Sequence, residues 1–399
     1  MIASIAQPLN SLIVAGSRRL RISVVTETYP PEVNGVAMTI GRMVNGLLDR
    51  GHTVQLIRPR QHRNDHPRRE QQLEILPLPG FRIPFYRELR MGFPAGRLLT
   101  EQWRHTPPDV VHLVTEGPLG SSALNAARRL GLRVVSDFHT NFHSYSRHYG
   151  AGILAQPLID YLRRFHNRAH STLVPTEELA EELRALGFVK LGVLARGVDT
   201  KLFSPDHRDP KLRQSWGAGP DDLVMLCVGR IAAEKNLQLA LAAYEALRTI
   251  RPTARLVLVG DGPMASRLRA RYPDVVFPGM RTGADLAAHY ASADIFLFPS
   301  LTETFGNVTL EAMASGLAVV AFDYAAAHRH IVHGHSGLLA ACDAPSSFIA
   351  AVRQLADDPA LVPQLGLAAR QAVAKFDWEQ IHRQLEQWFL EPAIEERMP

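Results

Sequence analysis

The feature that most constrains the fold is an alternation of short apolar runs with amphipathic stretches, completed once in the first half of the chain and begun again at Asp222. RISVVTE from Arg21, HTVQLIRP from His52, DVVHLVTE from Asp109 and LRVVSDFH from Leu132 read as strands. Between them, Gly35 to Gly51 and Gly120 to Gly131 carry apolar residues at helical spacing and stop at glycine. The cycle then repeats as DLVMLCVGR, ARLVLVGDGP, DVVFPGM, ADIFLFPS and GLAVVAFD, with NLQLALAAYEALRTIRP as its first helix. Strands alternating with helices give parallel sheets covered on both faces, so the pattern predicts an α/β fold of two doubly wound domains. A length of 399 residues suits two cores rather than one.

The expected division is an N-terminal extension over 1–20, a first domain over 21–196, a second over 197–375, and a helix over 376–399. In that helix Trp378, Ile381, Leu385, Trp388 and Phe389 lie near one face, which suits packing back onto the first domain. Ligands of open α/β sheets sit beyond the carboxyl ends of the strands, so two such domains bury a substrate in the cleft between them.

Several function classes are disfavoured. No apolar run nears the roughly 18 to 20 residues that cross a bilayer. In residues 1–20 the positive charge follows the apolar part, the reverse of a secretory signal. Two cysteines, Cys227 and Cys342, far apart in sequence, support neither a disulfide framework nor a zinc site, and a reducing cytoplasm is the expected compartment. Residues 1–195 hold 24 Lys plus Arg against 16 Asp plus Glu, a net of +8, which leaves −3 for the rest of a chain of net +5. The arginine-rich run from Arg58 to Arg69 is either a solvated face or a surface for anionic partners, such as the inner face of a membrane. Without a helix-turn-helix, zinc or RNA-binding signature, nucleic acid is not the expected partner.

The candidate chemistry falls in loops after strands. SLTETFGNVTLEAMASG, Ser300 to Gly316, follows a strand and opens a helix. Gly306 lets a ligand approach the backbone, and the free N–H groups of Phe305, Gly306, Asn307 and Val308 suit hydroxyl or phosphate oxygens. Glu303 can accept from sugar hydroxyls. Glu311 can accept both hydroxyls of a ribose, with the helix N-terminus helping to keep it ionised. A solvated loop glutamate and a dipole-complementing glutamate are the plain alternatives. In VGRIAAEKNL, after Gly229, Arg230 and Lys235 are placed to neutralise a diphosphate, or merely to solvate a helix start. Gly260, in the turn of VLVGDGP, offers backbone contacts to a base or ribose. TETYPPEVNGV is not a dinucleotide fingerprint, yet Asn34, Gly35 and Val36 precede a helix and bring backbone N–H groups towards the second domain, unless the prolines only fix a turn. In SDFHTNFH, His139 can bond a sugar hydroxyl or a neighbouring carbonyl, with Asp137 orienting it, although most of the 17 histidines read as surface or packing residues.

Together VGR…EKNL, LVGDGP, FPGM, SADIFLFPS, ETFGNVTLEAMASG and HGHSGLL resemble glycosyltransferase family 4, from about Arg21 to the last helix. The resemblance implies a GT-B fold, two Rossmann-like domains facing across a cleft, and retaining hexosyl transfer from a nucleoside diphosphate sugar with no cofactor and no essential metal. It implies that Glu303 and the backbone around Phe305 to Asn307 bind the donor sugar, and that Glu311 binds the ribose. Arg230 and Lys235 hold the diphosphate, the Asn34–Gly35–Val36 loop contacts phosphate or sugar, and His139 lies beside the reacting sugar. ETYPPEVNGVA and DFHTNFHSYSRHYG are similar to the branch with GDP-mannose-dependent mannosyltransferases and diacylglycerol glycosyltransferases, which implies a lipid or glycan acceptor. A sugar-nucleotide epimerase of the same fold and a silent nucleotide-sugar-binding subunit are the alternatives.

Overall fold

The structure is a computed structural model, and it describes residues 18–32, 34–83, 86–139, 152–301, 303, 305–342 and 344–390. The proposed extension lies almost wholly outside these residues, as do Thr140–His143 of the His139 motif.

Two separate sheets are present. The first contains β1 (Arg21–Val25), β2 (Thr53–Pro59), β3 (Arg68–Glu70), β4 (Leu73–Leu78), β7 (Val110–Leu113), β8 (Val134–Asp137), β9 (Ser171–Val174) and β10 (Leu191–Val193), in the order β10-β9-β8-β7-β1-β2-β4-β3. Its pairs are parallel except for the edge pair β3 with β4, and β5 (Gly80–Ile83) with β6 (Tyr86–Gly92) forms a separate hairpin. The second sheet contains β11 (Val224–Val228), β12 (Arg255–Val259), β13 (Val276–Gly279), β14 (Ile295–Phe298), β15 (Ala318–Phe322) and β16 (Leu338–Ala340), in the order β13-β12-β11-β14-β15-β16, parallel throughout. In each sheet the chain turns from one side to the other beside the first strand, and β1 and β11 therefore end at a switch point where a ligand crevice opens.

Local chemistry explains the elements. The central strands are almost continuously buried and mostly apolar, RISVV and VMLCV, as sheets covered on both faces require. Asn34 caps the Gly35–Asp49 helix by accepting from the Ala37 N–H at 2.8 Å. The buried face of that helix, Ile40, Met43, Val44 and Leu47, packs with Ile22, Val24, Val54 and Leu56 of the sheet. Each such side chain contributes about 1.5 to 3 kcal/mol when fully withdrawn from water.

The arginine-rich run departs from a simple solvated face. Arg58 is buried, and its Nη1 donates to Asp65 Oδ2 at 2.6 Å. Burial opposes the Asp65 charge, but the Arg58 hydrogen bond and the Gln61 N–H hold its carboxyl down at about 2. Arg68 and Arg69 form the exposed edge strand, where charge discourages pairing with another chain.

The chain crosses between the sheets twice, side by side. Val198 N–H donates to the Phe376 carbonyl at 2.9 Å, and Val198 bridges Asp377. The Trp378–Leu390 helix then lies on the first domain, where Ile381, Leu385 and Phe389 complete the cluster around Ile40 and Met43.

Candidate active site

The glycine turns after β11 and β12 touch. A Cβ on Gly260, whose φ is +134°, would stand 2.0 Å from the Gly229 carbonyl oxygen, so no side chain fits there. Arg230, Lys235 and Ser300 border the same crevice. Lys235 Nζ is ion-paired with Glu303, and it lies 5.8 Å from the centre of the Phe298 ring. The Ser300 hydroxyl donates to Glu303 Oε1 at 2.8 Å, while Tyr324 OH fixes the loop by donating to the Ser300 carbonyl at 2.7 Å. Arg230 points outward with Nη1 3.5 Å from Glu234 Oε1. The structure thus gathers Gly229, Arg230, Lys235, Gly260 and Glu303 at one end of the second sheet.

Gly306 adopts φ +90°, a left-handed conformation that favours glycine, at the N-cap of the Asn307–Ala314 helix. Gly306 has no side chain with which to cap that end, and the Thr309 N–H donates to the Gly306 carbonyl at 3.0 Å. Phe305 is buried in the second domain's core and Val308 packs partly against it. Across the cleft, Asn307 Nδ2 donates to Thr39 Oγ1 at 3.3 Å, and Gly35 faces the same amide, with room for a Cβ at 4.0 Å. Gly35 therefore opposes Asn307, while Val36 packs against the first domain's core. The Asn34 side chain is occupied as a helix cap.

Glu311 departs from its expected electrostatics. Burial pushes its carboxyl up to about 7, against the Tyr290 hydrogen bond and the Arg42 charge. Desolvation outweighs the helix dipole, whose benefit is of order 1 kcal/mol.

His139 lies past β8 in a buried polar cluster. Arg196 Nη2 donates to His139 Nδ1 at 3.3 Å, and His139 Nε2 lies 3.4 Å from Asp137 Oδ2. A guanidinium has only donors, so Nδ1 is the acceptor and the ring proton sits on Nε2, facing Asp137. His112 Nε2 lies 3.0 Å from the other Asp137 oxygen. Burial works against the Asp137 charge, yet His112 and His139 hold its carboxyl well below the usual range. Burial, helped by Arg196, lowers the His139 pKa against the pull of Asp137. His139 is thus held in one tautomer by its neighbours.

Sequence reasoning missed Thr39, Arg42, Arg196 and Tyr290. Arg196 is buried in the first crossing segment, where VLARGVD reads as a domain boundary. Tyr290 reads as an ordinary core aromatic, and only its contact with Glu311 marks it. Among the described residues no cluster of His, Cys, Asp and Glu is arranged to hold a metal ion, and no helix is long and apolar enough to cross a membrane.

Comparisons with known proteins agree with this geometry. Residues 33–202 match the family model described as Glycosyltransferase Family 4, and residues 222–358 match Glycosyl transferases group 1. A GDP-mannose-dependent alpha-mannosyltransferase of Mycolicibacterium smegmatis is 34% identical, over 90% of this chain and 94% of its own. An alpha-monoglucosyldiacylglycerol synthase of Streptococcus pneumoniae is 29% identical, over 76% of this chain and 71% of its own. Sucrose-phosphate synthase from Thermosynechococcus elongatus shares the fold with a TM-score of 0.74 at 18% identity, covering 93% of this chain and 98% of its own. With two parallel-sheet domains, a cleft lined at the strand ends and both family models matched, the chain belongs to glycosyltransferase family 4 and has the GT-B fold.

Proposed function

We propose that the protein transfers mannose from GDP-mannose to a hydroxyl of a membrane lipid or glycolipid, with retention at the anomeric carbon and without an essential metal. The observation that carries this reading is the 34% identity, over nearly the full length of both chains, to a GDP-mannose-dependent enzyme. Glu303 and the turn from Phe305 to Asn307 bind the sugar, Glu311 the ribose, and Arg230 with Lys235 the diphosphate. The bond from the anomeric carbon to phosphate breaks as the acceptor oxygen attacks from the same face, and the departing diphosphate takes the acceptor proton. Lys235 exchanges Glu303 for phosphate oxygens as donor binds, and the two cations stabilise charge that grows in the transition state.

The first domain supports docking at the inner membrane surface. Phe81 and Phe93, 41% and 50% exposed, stand with ring centres 5.4 Å apart, and exposed Arg82, Arg97 and Leu98 lie close to them in sequence. Exposed apolar rings in an arginine-rich segment suit an anionic bilayer.

The test incubates purified protein with a panel of GDP- and UDP-sugars and a membrane lipid extract, with and without EDTA. The expected result is acceptor-dependent release of GDP and a new mannolipid in both conditions. Activity confined to UDP-sugars refutes the donor, loss in EDTA refutes metal independence, and sugar isomerisation without transfer establishes the epimerase alternative.

A further inference from the structure

Tyr290 lies in the last turn of the Gly283–Ala291 helix and is fully buried. Its ring stands edge-on to Phe203, at 5.5 Å and 90°, and 5.7 Å from Phe296. Its hydroxyl donates to Glu311 Oε2 at 2.9 Å, joining the core of the second domain to the carboxylate. A Phe would fill the same core volume, so the oxygen is what packing alone does not require.

We infer that Tyr290 is a positioning residue for the donor ribose: its hydroxyl fixes Glu311 as an acceptor for the ribose diol, so that choice of ribose over deoxyribose depends on a core tyrosine. The inference rests on the reading above that Glu311 faces the ribose.

A carboxylate has about four acceptor sites, and Tyr290 occupies one on Oε2. Oε1 and the rest of Oε2 remain for two hydroxyls. Two conditions follow: the carboxyl must be ionised, and it must not rotate. Burial threatens the first, pushing Glu311 up to about 7, and the Tyr290 bond opposes that shift. The phenol stays a donor throughout, because burial and the adjacent carboxylate raise its own pKa well above the ordinary value. From across the cleft the charged group bearing on Glu311 is Arg42 of the Gly35–Asp49 helix, whose Nη1 is ion-paired with Asp199 at 2.9 Å. Arg42 supplies charge, whereas Tyr290 supplies both charge stabilisation and direction. A hydrogen bond to an ionised group is among the stronger polar contacts, and its loss in a partly buried site is felt about tenfold or more in binding.

The experiment measures binding of GDP, dGDP, UDP and dUDP by calorimetry from pH 6 to 8.5, for wild type, Tyr290→Phe and Glu311→Gln. In the wild type the ribo form is expected to bind about tenfold tighter than the deoxy form at pH 8, with the preference shrinking as pH falls through about 7 and Glu311 takes up a proton. Tyr290→Phe is expected to cut the preference several-fold at pH 7.5 and to move its decline to higher pH. Affinity for the deoxy nucleotide should stay within about twofold, which a general packing defect would not spare. A full preference in Tyr290→Phe, with Glu311→Gln having lost it, overturns the role of Tyr290 and leaves Glu311 in place. No ribose preference in the wild type overturns both. A wild-type preference that is flat across the pH range also overturns the inference, with no variant needed. Because either base serves, a failure of the GDP assignment is seen separately.

Discussion

Lys235 meets Glu303 in the donor crevice, and each is the other's charged partner. Replacing Lys235 by Ala removes a cation from the proposed diphosphate site and leaves a partly buried carboxylate without this counter-charge. Turnover of the donor should fall on the order of a hundredfold, with Arg230→Ala similar, as steady-state kinetics would show. Wild-type turnover in both variants would rule out the diphosphate site. Glu27 poses a different question at this scale. It is buried in the loop after β1 and accepts from the Leu119 N–H at 3.0 Å, in effect capping the Pro118–Arg129 helix. Burial, with Glu116 adding to it, pushes its carboxyl up to about 7 against the Leu119 bond. The folded protein therefore keeps this proton over a range, roughly 4.5 to 7, in which the unfolded chain has released it. Stability from this group is greatest at the acid end, falls as pH rises through that window and levels off above it. Glu27→Gln removes the dependence, so the melting temperature of the variant relative to wild type should climb between pH 5 and 8. A constant difference would refute it. Residues such as Glu303 and Lys235 are legible in sequence because their neighbours form a recognisable string. Glu27 and Tyr290 are not, because their character comes from burial and from partners distant along the chain, Leu119 and Glu311.

Among the elements, the Trp378–Leu390 helix shows the same division. Its apolar spacing is readable, and Ile381, Leu385 and Phe389 are the side chains it buries. Glu386, between Leu385 and the Trp388–Phe389 pair, reads as a solvent residue but is 5% exposed. It pairs with Arg50, and its Oε1 lies 3.1 Å from His52 Nε2. The helix thus sits on an ionic seat as well as an apolar one. Glu386→Ala removes the carboxylate facing buried His52 and one of the two paired with Arg50, which keeps Glu379 at 2.9 Å, and should cost about 2 kcal/mol in urea unfolding. Close contact adds a steric constraint: a Cβ on Gly46 would fall 2.1 Å from the His382 ring, so Gly46→Ala should also destabilise and should displace this helix. The β5–β6 hairpin and the β3 edge were not readable as strands, because polar, arginine-rich sequence without regular alternation carries no burial pattern.

For the whole molecule, the alternation of strands and helices was enough to give two sheets, since periodicity reports burial on both faces. The cleft between them was less accessible to sequence. Thr39 with Asn307 and Arg42 with Asp199 join residues far apart in the chain. The charge imbalance, by contrast, is a property of the whole first half. It leads to a measurable expectation: the protein should sediment with vesicles containing anionic lipid, less so as salt rises, and Phe93→Ser should weaken this. Equal, negligible sedimentation with neutral and anionic vesicles would refute membrane docking.

The returning helix also sets a timetable. A ribosome releases the first eight-stranded sheet early, but Ile381, Leu385 and Phe389, which cover the face formed by Ile40 and Met43, emerge only after the second domain has been made. The earlier half must therefore wait with an apolar face open, a state in which chaperones and misfolding compete. A stop codon shortly before Trp378 would leave every residue of the first sheet intact and still damage that domain first.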